Sequence, residues 1–168
     1  LRRRVKKELA DGSTVVYAYS GWQTVAEYDN GAAPANPTRT YVYGIYIDEP
    51  LMMVSGGQKY YYHANAMYCV AGLTDSAGSV VERYKYTPYG KVTILAPDGT
   101  TMRTASAVGN TLTWQGGPLD GETGLYYKRN RYYDPDLGRW MKRDPIGYRG
   151  GWNLYEYTAG RPIVFLDP

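Results

Sequence analysis

The sequence predicts an all-β chain of Tyr-rich antiparallel hairpins that form one curved or wrapped sheet, with little helix. Composition is the first reason. The 168 residues include 20 Tyr and a single Phe beside 20 Gly and 10 Pro. Tyr favours pleated, half-buried surfaces, and Gly and Pro punctuate turns. Period-two patterning is the second reason, and the recurrence of one kind of turn is the third. The length suits one domain, and so many aromatics argue against disorder.

Three runs show the alternation clearly. In residues 14–19, Val15, Tyr17 and Tyr19 share a face opposite Thr14, Val16 and Ala18. In residues 41–48, Tyr41, Tyr43, Ile45 and Ile47 fall together. In residues 80–87, Val80, Glu82, Tyr84 and Tyr86 oppose Val81, Arg83, Lys85 and Thr87. Between such runs the turns echo one another. "LADGS" at 9–13 returns as "LAPDGT" at 95–100, and "LTDSAG" at 73–78 as "LDGETG" at 119–124. "YTPYGK" at 86–91 is matched by "YDPDLGR" at 133–139. Asp or Pro opens each turn, and Gly supplies the backbone conformation other residues resist. Hairpins that cannot each bury a face alone must stack into a larger sheet. Residues 30–38 and 101–109 read as loops.

The net charge of +3 does not call for a nucleic-acid partner. Arg2, Arg3, Arg4, Lys6 and Lys7 crowd the start, and such a run reads as a solvated end. A looser set, Lys128, Arg129 and Arg131 followed by Arg139, Lys142 and Arg143, reads as a cationic outer face. Cys69 is the sole cysteine, so no disulfide closes within the chain. No apolar run is long enough to span a membrane. Asp and Glu are scattered in turns, so neither a metal site nor a cofactor is expected. His63 has no nucleophile at a recognisable spacing and reads as a hydrogen-bonded strand residue. Trp22, Trp114, Trp140 and Trp152 are candidate stacking platforms, although aromatic stripes on strands more often pack internally.

Two Asp-Pro steps, Asp144-Pro145 and Asp167-Pro168, raise a chemical question. Two carboxylates close enough to share a proton could act as an aspartic dyad. Both could equally be turn initiators, since Asp-Pro is ordinary turn chemistry. The intervening stretch is long enough to leave and return, and Gly147, Gly150 and Gly151 permit a sharp path.

"GSVVERYKYTPYGKVT" at 78–93 resembles a YD repeat, and residues 119–168 resemble the Rhs repeat-associated core. The marks are "ETGLYY", "RYYDPDLGRW", "RDPIG", "NLYEY" and a final "DP". So many spaced elements make a specific signal. The resemblance implies a β-strip over 1–118 and a core segment over 119–168, built as one continuous unit. It further implies a secreted or cell-surface bacterial protein with a structural, shell-forming role. The expected partners are other segments of the shell, further copies of the chain in a tube or filament, and a C-terminal toxin effector in the parent protein. The alternative it implies is aspartyl-type self-cleavage that frees the effector, with Asp144 and Asp167 as the dyad and Arg143 beside them. The fragment itself is expected to be non-enzymatic. The chain starts at Leu1 and stops before the glycine that the family carries after its second Asp-Pro, so a piece of a longer protein is expected.

Overall fold

The computed structural model describes residues 3–166. Ten strands follow one another in a single antiparallel meander. They are β1 (Lys6–Glu8), β2 (Thr14–Ser20), β3 (Gln23–Asp29), β4 (Arg39–Tyr43), β5 (Pro50–Ser55), β6 (Gln58–Ala64), β7 (Val70–Thr74), β8 (Val80–Tyr86), β9 (Val92–Leu95) and β10 (Met102–Arg103). Four more form a second sheet in the same sequential order: β11 (Leu119–Asp120), β12 (Leu125–Lys128), β13 (Arg131–Asp134) and β14 (Arg139–Trp140). The all-β, antiparallel expectation holds, with the ladder interrupted between β10 and β11.

The turns work as their residues suggest. Asp75 Oδ1 accepts the amides of Ala77 and Ser79, and Asp134 Oδ1 accepts those of Asp136 and Leu137. Such Asx turns reverse the chain locally without help from elsewhere. Asp98 lies well below the ordinary carboxylate range, chiefly through the Thr101 hydroxyl and then the Thr100 and Thr101 amides. Asp11 is likewise lowered, first by the Ser13 hydroxyl. Register shifts at Ala18/Tyr19, Val42/Tyr43, His63/Ala64 and Leu73/Thr74 break the regular pairing. Bulges of this kind increase local twist and let a long meander curl.

The alternation at 14–19 and 80–87 matches β2 and β8, with Tyr17, Glu82 and Tyr84 on the buried side. The run at 41–48 does not persist as a strand. β4 ends at Tyr43, where Gly44 donates its amide to the Glu49 carbonyl, and Ile45 is fully exposed. A short-range turn closed by that bond outcompetes the apolar alternation.

Two clusters form the interior. One gathers Tyr41, Met53, Tyr62, Val70, Leu73, Tyr84 and Leu112 under the large sheet. The other gathers Cys69, Trp114, Tyr126, Tyr133, Trp140 and Tyr157 between the sheets. Tyr can replace Phe here because buried hydroxyls reach acceptors. Tyr86 donates to the Val70 carbonyl at 2.7 Å, Tyr126 to Gly90 at 2.9 Å and Tyr133 to Tyr89 at 2.7 Å. Trp114 and Trp140 are therefore core residues rather than stacking platforms, while Trp152 is 94% exposed and Trp22 partly so. His63 lies on β6, with Nε2 3.0 Å from the Thr74 hydroxyl.

Each basic cluster is part solvated and part buried: Arg3, Lys6, Arg139, Lys142 and Arg143 are exposed as expected, whereas other members turn inward. Arg3 stacks 4.7 Å from the Trp22 ring, and the side chains of Arg4 and Lys7 are largely buried against Asp120. In the second cluster Lys128 and Arg131 are buried, with Lys128 Nζ donating to the Gln115 carbonyl at 2.8 Å. Long cationic stems pack along aromatic surface while the charge finds an acceptor. No helix among the described residues is long and apolar enough to cross a membrane.

Candidate functional site

The "RYYDPDLGRW" segment folds into the β13–β14 hairpin, with Tyr133 opposite Trp140 and Asp134 opposite Arg139. Gly138 holds a left-handed φ of +64° in the turn, where an added Cβ would lie 2.8 Å from the Tyr89 ring. Glycine therefore meets both the backbone and the space requirement there. The hairpin sets Arg131 diagonal to Trp140, with the guanidinium carbon 3.8 Å from the indole centroid.

Beyond β14 the chain turns at "RDPIG" and comes back alongside itself. Trp140 donates its amide to the Tyr155 carbonyl and Asp144 to the Leu154 carbonyl, at 2.9 and 2.8 Å. Arg139 and Glu156 form an isolated antiparallel bridge. The two carboxylate oxygens of Asp144 have different tasks. Oδ1 accepts the Ile146 amide at 2.9 Å, and the Gly147 amide bonds the Asp144 carbonyl at 3.0 Å. Oδ2 accepts Arg131 Nη1 at 3.1 Å. Asp144 is thus a turn initiator like Asp134, and in addition it is oriented by a buried cation lying over an indole.

A cleft of about 230 Å³ opens beside this aspartate, lined by Asp144, Ile146, Leu154, Glu156 and Thr158 among others. Thr158 and Ala159 both adopt left-handed φ, at 48° and 50°. Asp167 lies outside the described residues. Arg143 is exposed and donates Nε–H to the Tyr155 hydroxyl at 3.4 Å. The cation paired with Asp144 is Arg131, which is buried rather than on the cationic outer face its sequence neighbours suggest. A hairpin that puts Arg131 diagonal to Trp140 was the available signal, since arginine stacks on indole faces. Bidentate or stacked guanidinium contacts to a carboxylate add geometric definition as well as charge.

The teneurin YD-shell family model matches residues 5–159. The chain is 31% identical over 169 aligned positions, 98% of its length, to a tRNA3(Ser)-specific nuclease WapA of Bacillus spizizenii. It is 37% identical over 65% of its length to double-stranded DNA deaminase toxin A of Burkholderia cenocepacia. In both cases it spans 7% of the relative. Among solved structures, TcdB2-TccC3-Cdc42 superposes with a TM-score of 0.60 at 27% identity, covering 93% of this chain and 6% of that one.

Proposed function

The chain belongs to the teneurin YD-shell family, and on that premise we propose that it is a wall segment of a toxin-associated bacterial shell exported from the cell. Residues 1–118 are the strip and 119–168 the core segment that finishes it. The observation that carries this reading is the sequential ten-stranded sheet, whose terminal strands β1 and β10 each pair on one side only among the described residues. Unpaired strand edges present rows of N–H and C=O groups that template further pairing. Other shell segments or further copies of the chain supply those strands, and a C-terminal effector is the cargo of the parent protein. The isolated chain is expected to self-associate as concentration rises, measured by light scattering. A strict monomer whose β1 and β10 amides are protected from exchange would sink the edge-pairing idea.

A second reading is supported by the Arg131–Asp144 pair held over Trp140. Here the core segment is an aspartyl-type self-processing element, with Asp144 and Asp167 as acid and base and Arg131 positioning Asp144. In a chain extended past Pro168, Asp144→Asn is expected to abolish cleavage. Arg131→Gln should slow it by about 100-fold, the scale on which positioned acid–base groups act. The readout is intact mass against time. Unchanged cleavage in Asp144→Asn removes this reading and leaves the architectural one standing.

A further inference from the structure

The start of the chain does more than supply an edge strand. β1 pairs with β2 through only three register positions, Lys6↔Val16, Lys7↔Val15 and Glu8↔Thr14. Its stronger attachments run to the other sheet. The Arg4 amide donates to the Tyr127 hydroxyl at 2.9 Å, and its guanidinium lies 4.3 Å from the Tyr127 ring and 4.7 Å from Tyr17. Arg4 Nη1 bonds Asp120 Oδ2 and reaches the Tyr132 hydroxyl at 3.3 Å. The Arg4 carbonyl accepts the Tyr19 hydroxyl at 2.8 Å. Lys7 Nζ adds a second cation to Asp120 at 3.1 Å and reaches Glu122 at 3.0 Å. Asp120 itself is 4% exposed.

One residue therefore ties β2 of the large sheet to β11, β12 and β13 of the small one. Tyr127 and Tyr132 are register partners with rings 5.4 Å apart, and Tyr132 is the immediate neighbour of Arg131. We propose that Arg4 is a positioning residue whose arm straps the small sheet onto the large one and so sets Arg131 beside Asp144. The consequence for cleavage rests on the self-processing reading, while the strap rests on the geometry alone. Tyr126, Tyr133 and Arg129 also hold the small sheet, and docking of the strip's start completes its seat, which couples wall closure to the site. The strap resists salt, because buried pairs are screened far less than exposed ones. Removing one partner is severe, because the buried Asp120 carboxylate loses its closest cation.

Hydrogen exchange on the full chain tests the strap. Arg4→Ala is expected to speed exchange of the β12 and β13 amides at least about tenfold, a loss of roughly one hydrogen-bonded charge contact, with β5–β8 unchanged. Arg4→Lys should restore part of the protection, since lysine keeps the charge and loses the stacked fork. Native protection of β12 and β13 in Arg4→Ala overturns the proposal, and so does equal loosening of β5–β8. Should Arg4→Ala fail to fold, Lys7→Ala removes the second cation from Asp120 and should speed exchange across β11 and β12 severalfold. No change there overturns the strap. In the chain extended past Pro168, Arg4→Ala should also slow cleavage. Native cleavage with loosened β12 and β13 overturns the positioning role. Cleavage that survives Asp144→Asn defeats the self-processing reading instead, and the exchange data still judge the strap.

Discussion

Gly116→Ala is expected to lower stability by at least about 3 kcal/mol, combining left-handed strain with overpacking. Gly116 has φ +61°, and a Cβ built there would stand 1.9 Å from the Asp48 carbonyl oxygen and 2.7 Å from its carbon. The obstacle is backbone, which cannot rotate away as a side chain can. Neighbouring contacts fix that backbone on both sides. The Gly116 amide donates to the Tyr68 carbonyl at 2.9 Å, and the Asp48 side chain is paired with Arg129. A methyl group at 116 therefore wedges the 3₁₀ turn at Trp114–Gly116 away from the β4–β5 turn. Urea unfolding followed by Trp fluorescence reads the effect. A midpoint equal to that of the native chain would contradict the packing described for this seam.

Glu82→Ala should cost about 3–5 kcal/mol, the range for stripping one partner from a buried, charge-assisted network. Glu82 is 0% exposed on the inner face of β8. Its carboxylate accepts the Tyr84 hydroxyl at 2.5 Å, Arg103 Nη1 at 3.2 Å, the Ser106 hydroxyl at 2.8 Å and the Ala107 amide. Burial first, and then the Glu82 charge, raise Tyr84 above its ordinary value, so its phenol stays protonated and donates. The Tyr84 oxygen in turn accepts the Asn110 side-chain amide at 2.9 Å, and Asn110 Oδ1 accepts the Tyr62 hydroxyl at 2.7 Å. The network thus fastens the loop between β10 and β11 across the sheet. Glu82→Ala removes the acceptor of the Tyr84 and Ser106 hydroxyls and the Ala107 amide and leaves Arg103 only the Val81 carbonyl, so the loop at 104–111 should open first. Limited proteolysis should cut within that loop in Glu82→Ala before any other site. Glu82→Gln, which keeps the shape but exchanges an acceptor for a donor, should fall between the two. Full resistance of the loop in Glu82→Ala would show that packing of Val108 and Leu112 alone holds it.

These two sites also show where sequence reading stops. Glu82 stands in an alternating run whose faces were legible, yet a glutamate on the Val80, Tyr84 and Tyr86 face gave no reason to choose that face as the buried one. Apart from Tyr84, its donors come from β10 and the loop after it, more than 20 positions away. Gly116 lies in a stretch with no recurring turn motif, and its requirement comes from Asp48, far earlier in the chain. The "RDPIG" turn was readable because Asp144 bonds an amide two residues on. Its cation was not readable, because Arg131 reaches it only after the hairpin and the return strand are in place.

The sequence by itself determined the all-β antiparallel class, strands such as β2 and β8 and the Asp-led turns, because those depend on alternation and on bonds spanning two to four residues. The family resemblance in residues 119–168 was likewise a property of local strings. Only the tertiary structure decided which charges go inside. Arg4, Lys128, Arg131 and Glu82 are polar by type and buried by circumstance. A buried charge is tolerable only where partners converge on it, and in this chain those partners arrive from the opposite sheet or from distant loops.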